Sequence, residues 1–143
     1  YIFFLNYLRC FRIIVFRDCI NYSYNIHQDS LSRTIHPYVV EWESFQNFYK
    51  ASIDFEKCFN KPVVTHQIGC NIAYFVVSRL WPALYKTNLS FKQRIHFLNR
   101  LDDSQMYYVC QFYKPIGIVG KVLKLLFCKK KFRLFDAFMN NFY

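Results

Sequence analysis

Proline occurs at only four positions in this chain, 37, 62, 82 and 115, and glycine at only three, 69, 117 and 120. Tight turns and strand ends draw on these two residues. A 143-residue chain with so few of them favours long helices over a many-stranded sandwich. It is long enough for one domain with a core, and 54% hydrophobic residues, with 17 Phe and 12 Tyr, are far more apolar mass than a disordered chain carries.

The prolines also mark the boundaries. Pro37 disfavours helical geometry at His36, so residues 34–37 read as a linker and a helix is predicted from Tyr38 to Phe59. Trp42, Phe45, Tyr49 and Ile53, flanked by Phe48 and Phe55, give it a wide apolar face. Glu41 and Glu43 fall in its first turns, where acids complement the helix dipole. Asn60-Lys61-Pro62 ends it. The next predicted helix, Val63 to Leu84, is apolar on most sides in its middle and suits a central position, with Pro82 expected to kink or end it. Ser90 is a natural N-cap for a helix carrying Phe91, Ile95, Leu98 and Leu101. Asp102-Asp103-Ser104 reads as the cap of another, running toward Tyr113 and broken by Pro115 and Gly117.

The last thirty residues differ in charge. Lys114, Lys121, Lys124, Lys129, Lys130, Lys131 and Arg133 stand against the single acid Asp136, a net +6 within a chain of net +10. Ile116, Ile118, Val119, Val122, Leu123, Leu125, Leu126 and Phe127 lie between the charges. A basic amphipathic helix of this kind can lie in a membrane surface, apolar groups in the acyl boundary and cations among anionic headgroups. It can equally dock on its own protein, and the pattern alone does not separate the two. Lys121, Lys124, Lys129, Lys130, Lys131 and Arg133 are the candidate membrane-surface residues. The longest apolar stretch, Ile72 to Tyr85, is interrupted by Ser78-Arg79 and carries Pro82. It reads as a buried helix, not a membrane span.

Most of the sites that carry chemistry elsewhere have no counterpart. Three glycines cannot build a phosphate-cradling loop, and no nucleophile elbow is present. No two histidines stand four apart on a helix, and the six cysteines form no C-x-x-C pair, so they read as free buried thiols in a reducing compartment. Basic residues next to aromatics form no nucleic-acid-binding module, and no nucleic acid is expected as partner.

The opening of the chain has another character. Arg12 to Phe16 is a β-branched strand candidate, and Cys19 to Tyr24 alternates at strand period. A polar stretch follows, with His27 the only histidine embedded in it. The order Tyr22-x-Tyr24-x-x-His27-x-x-Ser30-x-Ser32 resembles the end of the GT-A domain in bacterial family 2 glycosyltransferases, which often read Tyr-x-Tyr-Arg-x-His-x-x-Ser-x-Ser there. Tyr1 to Leu8 looks like the helix that follows that family's Glu-Asp pair, and Arg12 to Phe16 like the next strand. The remainder is similar to the variable helical tail of such enzymes.

That resemblance implies a mainly α chain: a short N-terminal helix plus β-hairpin, the end of a GT-A α/β domain, followed by a C-terminal helical bundle. Residues 1–36 would be the domain remnant, 37–113 the helical tail and 114–143 the basic terminal helices. It implies transfer of a sugar from a nucleotide-sugar donor to a polysaccharide or lipopolysaccharide acceptor, at the cytoplasmic face of the inner membrane. His27 would lie near the donor diphosphate and a divalent metal, Mg or Mn, with Ser30 and Ser32 close by; Asn25 stands where the family usually has Arg, removing a cation. The family's Glu-Asp and Asp-x-Asp motifs are not in this sequence, so the chain alone is expected to be inactive and marginally stable. The alternative is a noncatalytic basic helical module that binds an anionic membrane or a protein partner.

Overall fold

The computed structural model describes residues 35–59 and 61–141. Helix α1 spans Tyr38–Phe59 and α2 spans Pro62–Phe75. A π-helical segment, Val76–Leu80, leads without a break into α3, Trp81–Lys86. Then come α4, Phe91–Leu98, α5, Asp103–Phe112, α6, Gly117–Cys128, and α7, Phe132–Met139. Among the described residues there is no strand. This corrects the expected fold class: over the described residues the fold is all-α. The β-hairpin and the helix before it were placed on residues outside those described, and the stretches that are described bury residues three and four apart, a helical period with no alternating face for a sheet.

The boundaries of α1 fall where Pro37 and Pro62 place them. The caps follow the sequence too. Ser90 accepts from the Gln93 amide while Gln93 returns a bond to the Ser90 N–H, and Asp102 and Gln105 make the same reciprocal box. Between α5 and α6 the chain leaves helical geometry over residues 113–116 and re-enters at Gly117, whose φ of 79° suits glycine.

Pro82 departs from expectation. It neither ends the helix nor breaks it; the chain stays helical from Pro62 to Lys86. In a regular α-helix its ring would strike the carbonyl of Ser78 and it would donate no hydrogen bond. The π turn ahead of it widens the helix at that point, with the Trp81 N–H donating five residues back to Val76. The strain is absorbed one turn before the proline.

The core forms one cluster. Phe45, Ile72, Val76, Leu80, Leu84, Leu98, Val109, Phe127 and Phe135 are all buried within it. Helix α2 packs along α5, α1 lies against α2, α6 rests on α5 and α7, and α7 on α4. The α2–α5 approach is close: a Cβ on Gly69 would sit 2.5 Å from the Phe112 ring. Trp81 is the hub at the other end, its ring 4.9 Å from Phe135, 5.1 Å from Phe127 and 5.9 Å from Tyr113.

Two buried carboxylates tie the helices together. Glu41, 2% exposed, takes Arg79 Nη2 at 2.6 Å and Nε at 3.1 Å, and the His36 N–H at 3.0 Å. It therefore does more than meet a dipole: it joins α1 to the π segment, while Glu43 stays exposed. Asp136, 3% exposed, takes Arg94 Nε at 2.7 Å and Nη2 at 3.0 Å, and the Tyr85 hydroxyl at 3.1 Å. Arg94 gives Nη1 to the Leu89 carbonyl at 2.7 Å. Burying a charge is costly unless its lone pairs are filled, and both carboxylates meet that condition. The bond to Asp136 raises the Arg94 pKa, and burial raises that of Tyr85, helped by the Asp136 charge.

The cysteine reading is also corrected. Cys110 and Cys128 are joined in a disulfide, with Cα atoms 5.7 Å apart. Cys58 is free and exposed, and Cys70 free and half-buried. Residues adjacent to each other across the α5–α6 connection can be bridged only once the two helices pack side by side, and that pairing is invisible in the spacing of six cysteines.

Candidate membrane-facing surface

Helix α6 places its side chains on two faces. Leu123 and Phe127, four apart, point into the core. On the other side Ile118 and Leu125 face outward at helical spacing, with Val122 half-buried between them and Lys121 exposed beside them. Ile118 is 81% exposed, and Ile116, just before the helix, 99%. Val119 and Leu125 are exposed as well. Scattered apolar side chains on a surface are ordinary, but a contiguous row edged by one sign of charge marks an interaction face.

The six basic residues singled out from the sequence divide by their partners. Lys124 gives its ammonium to the Tyr113 carbonyl at 2.6 Å and serves the fold, closing the α5–α6 connection. Lys130, at φ 52° beyond the end of α6, pairs with Asp103 at 2.5 Å on the surface. Lys121, Lys129, Lys131 and Arg133 are exposed and make no ion pair or side-chain hydrogen bond among the described residues. Four unneutralised cations are thus left along α6 and the start of α7, with Lys114 also exposed at the entry.

Three surface grooves lie near this face. One, of about 530 Å³, runs between α2 and the α5–α6 connection and is lined by Cys70, Tyr74, Val77, Phe112, Lys114 and Ile116. A second holds Lys131 and Arg133 beside Ile95 and Asn99. The third, of about 440 Å³, is lined by the two bonded cysteines with Pro115, Lys121, Lys124 and Leu125. Sequence reading missed these grooves, and it missed the exposure of Leu134 and Phe138 on α7. A hydrophobic residue in a basic helix declares no side until the helix is docked.

Asn25, His27, Ser30 and Ser32, the candidate diphosphate and metal residues, lie outside the described residues. Among the described residues no three of His, Cys, Asp and Glu come together as a metal site. Among them, too, no helix is long and apolar enough to cross a membrane. The His66 ring lies 5.5 Å from that of Phe112, tilted by 57°, with its Nδ1 4.0 Å from Cys70 Sγ, and His96 is exposed. Comparison with family models, with curated proteins and with solved structures returned no match to this chain.

Proposed function

We propose that the described bundle is a peripheral module that docks on an anionic membrane surface through α6 and the start of α7. The observation that carries the reading is the set of exposed apolar residues Ile116, Ile118, Val119 and Leu125 beside Lys121, Lys129, Lys131 and Arg133. An Ile or Leu side chain moved out of water gains about 1.5–3 kcal/mol, and each cation near an anionic leaflet about 1 kcal/mol. The two contributions are of similar size, so binding needs both and weakens with salt.

The test is vesicle flotation of the full chain. Binding is expected with vesicles of phosphatidylglycerol and phosphatidylcholine and not with phosphatidylcholine alone. Ile116→Ser with Ile118→Ser, or Lys121→Glu with Lys129→Glu, should each release it. Equal flotation with neutral vesicles, or none with anionic ones, defeats the reading, and the same face is then left for a protein partner.

The order Tyr22-x-Tyr24-x-x-His27-x-x-Ser30-x-Ser32 favours a wider reading that contains the first. Under it the bundle is the C-terminal part of a family 2 glycosyltransferase, peripheral at the cytoplasmic face of the inner membrane. The lipid-facing helix would hold the enzyme against a polysaccharide or lipopolysaccharide acceptor. Nucleotide-sugar and divalent metal would be bound chiefly by the donor half that such enzymes carry ahead of this segment, with His27, Ser30 and Ser32 at its edge. A chain in which such a donor half precedes Tyr1 should turn over sugar nucleotide, and His27→Ala should cut that turnover at least tenfold. No turnover, or turnover indifferent to His27, counts against it.

A further inference from the structure

The Cys110–Cys128 disulfide lies within reach of solvent. Both residues are half-buried, and both line the third groove beside Lys121 and Lys124. Lys124 is occupied by the Tyr113 carbonyl but keeps its charge, and Lys121 is exposed. A thiolate formed here would stand in an electropositive setting, which stabilises it as a leaving group, and the same charges draw in an anionic attacker. The bond also closes an important junction. It pins the far end of α6 to the last turns of α5, and α6 otherwise fully buries Leu123 and Phe127, with Leu126 packed at the edge of the core and Lys124 bonded to the Tyr113 carbonyl.

We propose that Cys110–Cys128 is a thiol–disulfide exchange site addressed by an anionic low-molecular-weight thiol of the glutathione class, and that exchange there sets how firmly α6 is held on α5. The reagent thiolate attacks one protein sulfur. A mixed disulfide forms, and the second cysteine leaves as thiolate beside Lys121. A second reagent thiolate attacks the reagent sulfur of the mixed disulfide, releasing the first cysteine and the oxidised reagent. The protein gains two electrons from two reagent thiols, and the two cysteine thiolates take up the protons those thiols lost. The inference rests on the placing of two sulfurs and two lysines and is independent of the lipid reading.

The experiment uses the full chain without lipid. Maleimide labelling of the unfolded chain is expected to leave Cys110 and Cys128 unlabelled before reduction and to label both after it. In native buffer, reduced glutathione should open the bond, read by mass mapping of the peptides that carry Cys110 and Cys128. At low ionic strength Lys121→Gln should slow opening by both reagents through the leaving thiolate, and opening by glutathione, which carries one net negative charge besides its thiolate, about fivefold more than opening by 2-mercaptoethanol, the effect of one unit charge at contact range in water. After reduction, amide exchange over residues 117–128 should rise several-fold while that over residues 38–59 does not, and Cys110→Ser with Cys128→Ser should reproduce this. Labelling of Cys110 and Cys128 in the unreduced chain, opening only on unfolding, equal slowing with both reagents, or unchanged protection of α6 would each overturn the proposal.

Discussion

Helices α1 and α6 are both rich in apolar residues, and the fold uses them in opposite ways. Helix α1 turns Trp42, Phe45, Phe48 and Phe55 inward and buries even Glu41 and Ser52 with them. Helix α6 carries Ile118, Val119, Val122, Leu123, Leu125, Leu126 and Phe127, yet buries only Leu123 and Phe127 fully, with Leu126 partly buried against the core and Ile118, Val119 and Leu125 exposed. Its apolar content exceeds what the core receives. A helix made only to complete the bundle would need two or three inward positions and could be polar elsewhere. The surplus on α6 is what the proposed docking would use, and the cations around it are why the proposed surface is an anionic one.

The sharpest way to break this contrast is to cut α6 once at its inward face and once at its outward face. Phe127→Ala should cost about 3–5 kcal/mol, because the ring lies against Trp81, Phe132 and Phe135. Ile118→Ser, nine positions away on the same helix, should change stability by no more than about 0.5 kcal/mol while lowering vesicle affinity about tenfold. Urea unfolding and flotation on the same two proteins read both quantities. If Ile118→Ser destabilises as much as Phe127→Ala, α6 has no free face.

A comparable loss is expected at Asp136. Asp136→Ala leaves the Arg94 guanidinium without its carboxylate and the Tyr85 hydroxyl without its acceptor, and should cost about 3–5 kcal/mol. The replacement should also separate the two ends of the molecule. Asp136 anchors α7 to α4 and α3, so amide exchange should rise there before it rises in α1. A global, uniform loss of protection would mean that the terminal helices do not open on their own.

Reduction of the disulfide should cost about 3 kcal/mol, the loop-closure entropy of a link spanning a separation of this size. The bond joins residues 18 apart. Thermal unfolding with and without a reductant measures it, and the Cys110→Ser variant, which cannot form the bond, should show no difference.

Much of this architecture is legible in the sequence because local chemistry dictates it. Pro37 and Pro62 bracket α1, Ser90 and Asp102 announce caps, and Pro115 with Gly117 opens the gap before α6. What local chemistry does not encode is pairing at a distance. Glu41 looks like a dipole partner until Arg79, 38 residues on, is brought to it. Asp136 looks like a lone acid in a basic tail until Arg94 arrives from 42 residues away. Pro82 looks like a helix breaker because proline rules assume an α-helix ahead of it, and the π turn removes that assumption. The basic tail was recognisable, but which of its lysines stay free depended on the positions of Asp103 and the Tyr113 carbonyl.

The smallest expected effect concerns Tyr108, which joins α5 to α1. Its hydroxyl meets Glu56 at 3.3 Å. Burial first, and then the Glu56 charge, push its pKa from 10.0 up to about 12. Ionisation is therefore harder in the folded chain than in the unfolded one. The neutral hydroxyl contributes its stability in full below pH 10, and that contribution fades as pH rises through the folded value near 12. The ring is partly exposed, so solvent screening holds the effect below about 1 kcal/mol. Tyr108→Phe should thus lower stability by a small constant amount at neutral pH, and the gap between the two proteins should close between pH 10 and pH 12. A gap that widens with alkali would mean that Tyr108 ionises more readily in the fold than out of it. It would also remove Glu56 as the link by which α1 holds the helix that carries α6.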